Sequence, residues 1–508
     1  MAVKLHAAEI VGLDGEIIDV ETDLARGLFH FGVVGLADKA VDEARERVSS
    51  AIKNSGFKSP QAKNRRVIVS LAPADLKKEG PLFDLAIALS YLLASKQALF
   101  DPSDKIFLGE LALSGELRRI KGVLALALSA ARRGFKEIIL PEENAREASL
   151  VESIQVFGAK SLKEVLAHLS GERPLAAHPP ASVDGALSYP IDFGEIRGQE
   201  TAKRGLEIAA AGGHHALMIG PPGTGKTMLA RALPSILPPL DFEEILEVTK
   251  IHSIAGTLKK DFERLRPFRS PHHTSSYVAL VGGGQYPRPG EITLAHRGVL
   301  FLDEFPEFER RVLEALREPL EEGTVTVSRA KGTMNFPARA LTILAMNPCP
   351  CGNFGSERRP CLCSQLSLER YQRKVSGPIA DRIDLWLEVP YFDHEKLSGS
   401  SGKESDNVRE RVIRARELQK ERFAGTRVKL NSEMGVKDLE RWAPLAPAVR
   451  ATLQNASRTF DLSARAYHRV IKLARTIADL EGAGDISENH LAEALHYRPK
   501  KQFFVHES

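Results

Sequence analysis

Gly220-Pro-Pro-Gly-Thr-Gly-Lys-Thr227 is the stretch that decides the fold of this chain. It matches the phosphate-binding pattern G-x-x-x-x-G-K-[ST] at every fixed position. The apolar residues 216–219 before it predict a short buried strand, and residues 228–233 after it predict a helix. A chance glycine-rich turn is disfavoured because strand, loop and helix follow one another in the required order.

The glycines and the lysine of this loop predict how it would hold a nucleotide. Glycine lets the backbone curl so that N–H groups and the helix N-terminus face phosphate oxygens. Lys226 would reach the β- and γ-phosphates of ATP, and the Thr227 hydroxyl would ligate Mg²⁺. The predicted nucleotide-binding residues are Gly220, Pro221, Pro222, Gly223, Thr224, Gly225, Lys226 and Thr227.

A second motif, Gly298-Val-Leu-Phe-Leu-Asp-Glu304, is an apolar strand that ends in two acids. It fits the Walker B pattern of P-loop ATPases. Asp303 would hold Mg²⁺ through water, and Glu304 would polarise the attacking water. Alone, such a run could be an ordinary strand end, but downstream of a P-loop it predicts the hydrolytic half of an ATPase site.

Two further segments resemble motifs of the AAA+ ATPases. Leu341-Thr-Ile-Leu-Ala-Met-Asn347 is a buried strand that ends in a polar residue, as sensor 1 does, and the resemblance implies that Asn347 orients the hydrolytic water. Gly377-Pro-Ile-Ala-Asp-Arg-Ile-Asp384 resembles the arginine-finger motif, with Arg382 as the finger that acts on a neighbouring subunit. A local ion pair of Arg382 with Asp381 or Asp384 is the alternative.

The C-terminal region resembles the helical lid of an AAA+ module. Residues from about 396 onward have helical periodicity, with a continuous apolar face over 470–480. Ser463-Ala-Arg-Ala-Tyr-His-Arg469 begins a helix and resembles sensor 2. Arg465 is the predicted phosphate contact, and Arg469, one helical turn later, is its rival.

Two inserts distinguish this core from a minimal AAA+ module. The first is a long, irregular segment between 250 and 297 that contains Ser270-Pro-His-His273. His272 and His273 could serve as metal ligands, but a role in loop structure is the favoured interpretation.

The second insert, Gly323 to Phe336, predicts a β-hairpin with a basic turn at 329–332. Helix-2 inserts and pre-sensor-1 hairpins line the pore in the AAA+ branch that contains Mg-chelatases and MCM helicases. By that resemblance, Arg329 and Lys331 at the tip could grip the phosphates of a translocating DNA strand. An exposed, solubilising turn is the alternative.

Residues 1–172 alternate strand-like and helix-like segments and predict a compact α/β domain. Lys78-Glu-Gly-Pro81 and the segment 113–144 resemble the regions that carry the catalytic serine and lysine of the Lon-type protease domain. The serine position falls on Leu82 and the lysine position on about Leu124, and neither side chain can act as nucleophile or base. The resemblance therefore implies a Lon-like fold without peptidase activity.

All four cysteines lie in two close pairs, Cys349-Pro-Cys351 and Cys361-Leu-Cys363. Two such pairs at the ends of a short loop could supply four thiolates to one tetrahedral, structural Zn²⁺. Four free thiols in a reducing compartment are the alternative.

Composition excludes several classes of protein. The 508-residue chain is 43% hydrophobic and 27% charged with a net charge of +4, as in soluble globular proteins, and mildly basic. No apolar run approaches the ~18 residues of a membrane span, and the start of the chain lacks the features of a signal peptide. A cytoplasmic protein without membrane contact is expected.

The sequence predicts an α/β protein of several domains. The N-terminal domain, 1–172, is of the Lon-like (ribosomal S5 domain 2-like) type, and 173–190 form a Pro- and Ala-rich linker. Residues 191–395 form the P-loop AAA+ core with helix-2 insert, pre-sensor-1 hairpin and the cysteine insert 349–363. Residues 396–508 form the C-terminal helical lid.

This order of domains resembles the bacterial ComM/YifB family of Mg-chelatase-like AAA+ ATPases. Four segments carry the resemblance: Gly194-Glu-Ile-Arg-Gly-Gln199, Arg269-Ser-Pro-His-His273, Leu316-Arg-Glu-Pro-Leu320 and Asn347-Pro-Cys-Pro-Cys-Gly352. The family implies a homo-hexameric ring that hydrolyses ATP with Mg²⁺ and drives branch migration of single-stranded, branched or junction DNA in natural transformation and recombination. A protein-remodelling ATPase and a motor subunit of a metal chelatase remain as alternatives.

Overall fold

The computed structural model describes residues 2–35, 39–62, 64–284, 288–329, 332–356, 359–375, 377–391 and 404–499. The chain forms two compact units, Met1–Gly185 with Phe242–Glu263, and Ala186–Asp241 with Arg264–Ser508. Both units mix helices and strands, which confirms the predicted α/β fold class. The domain boundaries predicted from the sequence stay a prediction, and we describe each unit separately.

Eighteen strands are described in chain order. They are β1 Val3–Val11, β2 Asp14–Arg26, β3 His30–Val34, β4 Arg65–Ala72, β5 Lys105–Phe107, β6 Glu110–Leu111, β7 Leu117–Arg118, β8 Glu137–Pro141, β9 Gln155–Ala159, β10 Ala216–Ile219, β11 Phe268–Arg269, β12 Gly282–Gly283, β13 Arg288–Pro289, β14 Val299–Leu302, β15 Thr324–Arg329, β16 Gly332–Pro337, β17 Leu341–Met346 and β18 Leu385–Glu388.

Nineteen α-helices are described in the same way. They are α1 Lys39–Asn54, α2 Asp84–Ala94, α3 Val123–Arg132, α4 Glu142–Ala148, α5 Leu162–Leu169, α6 Glu200–Gly212, α7 Lys226–Ala232, α8 Phe242–Ala255, α9 Tyr277–Val281, α10 Glu291–Leu294, α11 Arg310–Ala315, α12 Arg317–Glu322, α13 Gln365–Gln372, α14 Gly377–Ala380, α15 Glu404–Arg422, α16 Val436–Trp442, α17 Pro447–Phe460, α18 Ala464–Leu480 and α19 Glu488–His496. Among the described residues, none of these helices is long and apolar enough to cross a membrane.

The first unit contains a four-stranded sheet in the order β1-β2-β4-β3 and a three-stranded parallel sheet in the order β5-β8-β9. Helix α2 is apolar along almost its whole length and is buried, as the sequence pattern predicts. Helix α8 belongs to this unit although α7 and β11, its neighbours in the chain, belong to the other. Ser253 of α8 fixes it to α3, because its hydroxyl donates to Glu147 (2.5 Å) and accepts from the backbone N–H of Gly122 (2.9 Å).

Two leucines of the Lon-like unit stand at the positions of the catalytic serine and lysine of a Lon-type protease, and both belong to the hydrophobic core. Leu82 precedes α2 and is 8% exposed, whereas Leu124 in the first turn of α3 is fully buried. The start of α2 carries a buried ion pair, in which Arg47 donates to both carboxylate oxygens of Asp84 at 2.8 and 3.0 Å. This region therefore consists of packed apolar side chains and an ion pair in which Arg47 neutralises the charge of Asp84.

The second unit is organised around a five-stranded parallel sheet in the order β11-β14-β17-β10-β18. Every residue of β10, β14 and β17 is buried, as expected for central strands covered on both faces. The carboxyl ends of parallel strands meet at one edge of a sheet, and ligand sites form there. The segments that follow β10, β11, β14 and β17 therefore leave the sheet from the same edge.

The C-terminal helices α15 to α19 match the predicted helical lid. Helix α18 begins after Ser463, whose hydroxyl accepts from the backbone N–H of Ala466. Arg422 and Arg475 converge on the buried carboxylate of Asp479, at 2.5 and 3.0 Å. A buried carboxylate with two guanidinium partners is strongly held, so it fixes α15 against α18.

Candidate active site

The edge of the parallel sheet brings together the predicted P-loop, Walker B and sensor 1 residues. The Thr227 hydroxyl donates to Asp303 at 2.8 Å, and the Lys226 ammonium lies 3.3 Å from the side-chain oxygen of Asn347. These contacts join the ends of β14 and β17 to the start of α7. Three motifs that are spread over more than a hundred residues of the chain thus form one site.

Backbone geometry accounts for the glycines of the P-loop. Gly223 and Gly225 have φ values of 78° and 90°, in the left-handed region that favours glycine. Gly220 is needed for a different reason, since a Cβ there would overlap the carbonyl oxygen of Val389. The loop therefore has the curled form that directs backbone N–H groups toward an anion.

Lys226 lies inside this loop with its ammonium bound to backbone carbonyls. Its Nζ donates to the oxygens of Gly220 (2.6 Å) and Pro221 (2.8 Å), and the residue is 8% exposed. Burial lowers the pKa of the ammonium to about 8, against a smaller opposing effect of the Asp303 carboxylate. A phosphate would offer this ammonium a full negative charge in place of two carbonyl dipoles.

The two acids of the Walker B segment have different partners. One oxygen of Asp303 accepts from Thr227, and the other accepts from the backbone N–H of Glu304 (2.9 Å). Glu304 has a φ of 50°, unusual for a residue with a side chain, and its side chain is 56% exposed. Its Oε2 lies 3.0 Å from Nδ1 of His273.

This contact of His273 was missed by the interpretation of the sequence, which favoured a loop-structural role. The sequence offers little signal for it, because β11, the strand that precedes Ser270-Pro-His-His273, consists only of Phe268 and Arg269. Because β11 pairs with β14 in parallel, the two loops that follow them lie side by side.

The predicted arginine finger and the predicted sensor 2 residue lie together on one carboxylate of α12. Arg382 pairs with Oε2 of Glu321, and Arg465 lies 3.6 Å from Oε1 of the same residue. Arg382 also donates to the carbonyl of Pro378 at 2.6 Å. The two guanidinium groups therefore form one basic cluster with Glu321 between them.

The rival for sensor 2, Arg469, is engaged in a buried network. Its Nε lies 3.0 Å from Asp384, and its side chain is only 16% exposed. Burial raises the pKa of Asp384, but His214 and Arg469 outweigh that effect and hold it well below its usual range. His214 continues the network to Thr476 of α18 (2.8 Å), so Arg469 fixes the helical region to the start of β18.

The four cysteines converge to a single cluster, in which all four Sγ atoms lie within 4.8 Å of one another. The Cys349 Sγ is 3.4 Å from that of Cys351 and 3.7 Å from that of Cys361. These separations are too long for disulfides, and they approach the roughly 3.8 Å between thiolates that bind one Zn²⁺ at ~2.3 Å. The cluster therefore fits a tetrahedral, four-thiolate metal site.

The electrostatics of the cluster also suit thiolate ligands. Backbone N–H groups of Asn353 and Leu362 lower the pKa of the Cys351 thiol, whereas burial raises that of Cys349. N–H donors directed at a thiolate are the usual second layer of a metal site.

The cysteine cluster contacts two parts of the candidate active site. Gly352 packs against the P-loop so closely that a Cβ would lie 2.6 Å from Cδ of Pro222. Tyr371 of α13, which begins just after Cys363, lies beside Asn347, whose backbone N–H has a lowering effect on the pKa of the Tyr371 hydroxyl. Burial outweighs this effect and raises the pKa of the hydroxyl, so Tyr371 stays neutral.

The predicted hairpin is present as β15 and β16, paired from Thr324↔Pro337 to Arg329↔Gly332. Val325, Val327 and Phe336 are buried on one of its faces. Lys331, a predicted DNA contact, lies outside the described residues, and Arg329 is described only as the last backbone position of β15.

Comparison with known protein families gives three matches along the chain. The family described as magnesium chelatase, subunit ChlI matches residues 192–397. The family described as subunit ChlI of Mg-chelatase matches 20–144, and the subunit ChlI C-terminal family matches 402–498.

Comparison with individual proteins extends the similarity over nearly the full length. The chain is 44% identical to competence protein ComM of Haemophilus influenzae, covering 97% of each chain. It is 44% identical to the uncharacterized protein YifB of Salmonella typhimurium, covering 99% of this chain and 98% of that one. It is 42% identical to YifB of Escherichia coli with the same coverage.

Proposed function

Because the chain belongs to the ComM/YifB family of Mg-chelatase-like ATPases, we propose that it is an ATP-driven DNA translocase. The motor would be a ring of identical subunits, a hexamer as the family resemblance implies. The observation that carries the ATPase part is the contact of Lys226 with Asn347 and of Thr227 with Asp303 at one sheet edge.

Each residue of the site has a part in the proposed hydrolysis. Lys226 exchanges its carbonyl partners for the β- and γ-phosphates, while the backbone of 220–227 encloses them. Mg²⁺ supplies charge neutralisation and would be held by Thr227 and Asp303. Glu304 accepts the proton of the attacking water, and Asn347 orients that water.

The arginine cluster supplies the remaining positive charge. In the proposed ring, Arg382 acts on the γ-phosphate bound by the neighbouring subunit. Arg465 shares the carboxylate of Glu321 with Arg382, so both guanidinium groups can meet that phosphate together. Charge that develops in the transition state is then spread over two cations.

Two observations support DNA as the substrate. The relative from H. influenzae is a competence protein, and competence is uptake of DNA. In the sequence, the basic residue Arg329 ends β15 and the basic residue Lys331 directly precedes β16. Such a tip in a ring pore can hold the phosphates of a single strand. A cytoplasmic role in recombination of incoming strands follows from this proposal.

We also propose that the four cysteines hold a structural Zn²⁺. With four thiolates and no open position, the ion would have no role in chemistry. It would close the loop 349–363 and set where α13 begins.

The function is tested by ATPase rates without DNA and with single-stranded, duplex and four-way-junction DNA. Glu304→Gln is the blank. We expect strong stimulation by DNA, and movement of junction strands only during hydrolysis. An ATPase indifferent to every DNA would contradict the translocase proposal and point to a protein substrate.

A variant of the hairpin tip separates DNA handling from hydrolysis. Arg329→Ala with Lys331→Ala should keep the DNA-free ATPase rate and lose stimulation, since the tip is not part of the nucleotide site. Lys259→Ala with Lys260→Ala, two exposed lysines of the other unit, is the matched control for loss of positive charge. Equal loss in both variants would argue against a specific role of the hairpin.

The family descriptions favour one second candidate, the motor subunit of a magnesium chelatase. That activity would need partner subunits that bind Mg²⁺ and a tetrapyrrole. It predicts an ATPase rate that responds to those partners and not to DNA, so the same assay distinguishes the two functions.

A further inference from the structure

One end of the four-stranded sheet in the Lon-like unit carries a group of basic side chains. β4 lies between β2 and β3, so the end of β2 and the starts of β3 and β4 lie together. Arg26, which ends β2, is paired with Arg65, the first residue of β4. Arg66 is paired with His30, the first residue of β3. Three guanidinium groups and one imidazole therefore belong to two neighbouring registers at the same end of the sheet.

The positive charge of these arginines is not neutralised within the described part of the chain, where none of the three forms an ion pair. Arg26 and Arg66 are exposed, and Arg65 is half-buried. The nearest acid of β2, Asp23, is paired two positions further along β4, with Ile68. Like charges directly opposite each other on neighbouring strands destabilise a sheet. The pairing of Arg26 with Arg65 therefore leaves a positive charge that an external anion can offset.

The loop that joins β2 to β3 adds two exposed apolar side chains at the same place. Gly27, Leu28 and Phe29 cross the start of β4, because β4 separates the two strands that they connect. Leu28 is 89% exposed and Phe29 is 41% exposed. A Cβ at Gly27 would meet nothing within 4 Å, so this side of the loop faces open space. An accessible aromatic ring thus lies next to the arginines.

The exposed surface continues along one face of β3. Side chains alternate along a strand, so His30, Gly32 and Val34 lie on the face opposite to the buried Phe31. His30 and Val34 are both exposed. The imidazole of His30 lies over Gly32, where a Cβ would be 2.8 Å from its Nε2. The missing side chain at Gly32 leaves room for the ring, which extends the accessible surface beside Arg66.

We propose that this end of the sheet, residues 26–30 with Arg65 and Arg66, binds single-stranded DNA. The arginines neutralise phosphates, and an unpaired base stacks on Phe29. Charge favours a nucleic acid over a protein partner, because arginines without neighbouring carboxylates complement a polyanion. The aromatic ring favours a single strand, because a base within a duplex has no free face for it. The inference rests on the proposed function, in which DNA is the substrate.

The test measures the affinity of the full-length protein for a fluorescent oligothymidine strand by anisotropy at several salt concentrations. Arg26→Ala with Arg66→Ala should weaken binding and reduce the slope of log K against log salt by about 1.4, since each phosphate contact to a single strand contributes about 0.7. Phe29→Ala should weaken binding about five- to a hundred-fold, the effect of losing one stacked base, and leave the slope unchanged. The two variants therefore have different signatures.

Matched variants elsewhere in the chain are the controls. Arg118→Ala with Arg119→Ala removes two exposed arginines of the same unit, and Phe460→Ala removes a ring of the other unit that is 55% exposed. Both should bind the strand with the affinity and slope of the wild type. Thermal melting reports whether each variant is folded, and light scattering reports whether it assembles. If the double arginine variant fails to fold, Arg26→Gln with Arg66→Gln, which keeps more of the aliphatic stems, takes its place.

The outcomes distinguish a failure of this surface from a failure of the proposed function. Wild-type affinity and slope in the folded arginine and Phe29 variants overturn the inference and leave the translocase proposal standing. A variant that loses assembly but not DNA affinity also overturns it, because the surface would then contact a second copy of the chain. A wild type that binds no form of DNA overturns the proposed function, and this inference with it.

Discussion

At the scale of the residue, Lys226 combines burial with a positive charge. Its ammonium is compensated by the carbonyls of Gly220 and Pro221, and burial lowers its pKa to about 8. A buried cation that meets only dipoles is poorly satisfied. An anion that enters the loop therefore stabilises the Lys226 ammonium more than the two carbonyls do, as a phosphate-binding lysine requires.

Lys226→Ala should weaken ATP binding while leaving the fold intact. A charge-assisted hydrogen bond contributes about 1.5–3 kcal/mol, which corresponds to roughly ten- to a hundred-fold in the dissociation constant. Titration with a fluorescent ATP analogue measures the change. The matched control is Arg231→Ala at the other end of α7, which should bind normally. Wild-type affinity in Lys226→Ala would contradict the P-loop assignment.

Glu304→Gln should bind ATP normally and fail to hydrolyse it. The amide keeps the shape of the side chain, but it cannot accept the proton of the attacking water. Loss of a general base lowers kcat about 10²- to 10⁴-fold. Single-turnover hydrolysis separates this loss from effects on binding. Continued turnover would show that another group activates the water.

Residues of the site differ in how far the sequence reveals them. The P-loop residues are recognisable because one short segment contains glycines, lysine and threonine at fixed spacing. His273 and Glu321 were missed because their partners, Glu304 and Arg382, are brought to them only by strand order and helix packing. A pattern along the chain carries no information on such pairs.

At the scale of the element, the cysteine loop ties α13 to the ends of two strands. Cys349 is the third residue after β17, and Cys363 directly precedes the N-cap of α13. Metal binding would fix this connection through four thiolates. Tyr371 of α13 and Gly352 of the loop would then hold the Asn347 backbone and the P-loop Pro222 in place.

Removal of the metal should therefore reduce hydrolysis as well as stability. Cys349→Ser with Cys361→Ser should lower the metal content from one zinc per chain to none, measured by elemental analysis. We expect a lower melting temperature and a reduced kcat, because α13 is no longer fixed beside Asn347. A protein that never contains metal but is fully active would contradict the zinc proposal.

Tyr371→Phe is the control that distinguishes an effect of the metal on kcat from an effect of the contact between Tyr371 and Asn347. The variant keeps the zinc and the ring but removes the hydroxyl that lies beside the backbone N–H of Asn347. A polar contact of ordinary strength contributes about 0.5–1.5 kcal/mol, enough to affect the position of this segment. We expect full zinc content with a lower kcat than the wild type. A kcat equal to that of the wild type would mean that the metal does not act on hydrolysis through Tyr371.

In the Lon-like unit, the Arg47–Asp84 pair joins α1 to the start of α2. Asp84 is fully buried, and its carboxylate is neutralised by Arg47 of α1. Arg47→Met should lower the free energy of unfolding of this unit by about 3–5 kcal/mol, since it leaves a buried charge unpaired. Urea unfolding measures this free energy, and Arg45→Met on the exposed face of α1 is the control.

The same pair has a pH dependence with a definite sign. Burial raises the pKa of Asp84 to about 6, against the opposing effect of Arg47. For an acid whose pKa is raised on folding, the stabilising contribution is present below the unfolded pKa near 4 and is lost as the pH rises through 6. The loss caused by Arg47→Met should be smaller at pH 5 than at pH 8. Equal losses would mean that the carboxyl is not the cause.

Elements with a strong local pattern were predicted well. The P-loop strand spans 216–219 as predicted, and the two strands of the predicted hairpin pair in antiparallel fashion up to Arg329 and Gly332. The grouping of α8 with the first unit was not predicted. Its contacts to Gly122 and Glu147 join segments more than a hundred residues apart, and an apolar helix face does not specify which surface covers it.

At the scale of the whole molecule, one subunit contains two groups of catalytic residues, and these two groups need not act on the same ATP. Lys226, Asp303 and Asn347 lie at the sheet edge, and Arg382 and Arg465 lie on Glu321 of α12. Glu321 neutralises part of the charge of both arginines. In the proposed ring, the γ-phosphate of a neighbour would take over that role.

This division predicts that two inactive variants restore each other. Lys226→Ala binds nucleotide poorly but keeps Arg382, and Arg382→Ala keeps the P-loop but lacks the finger. Each protein alone should be almost inactive. When they are mixed and allowed to exchange subunits, an Arg382→Ala P-loop beside a Lys226→Ala neighbour is a complete site, so ATPase activity should return.

The mixing experiment distinguishes a shared site from a site within one subunit. If Arg382 served its own chain, every subunit in the mixture would lack one essential group and activity would stay at the sum of the two variants. A mixture of Lys226→Ala with Glu304→Gln is the control, because both changes remove groups from the same half of the site and no complete pair can form. Recovery in the first mixture but not in the second would require that neighbouring subunits build each active site together, and hydrolysis would then depend on assembly.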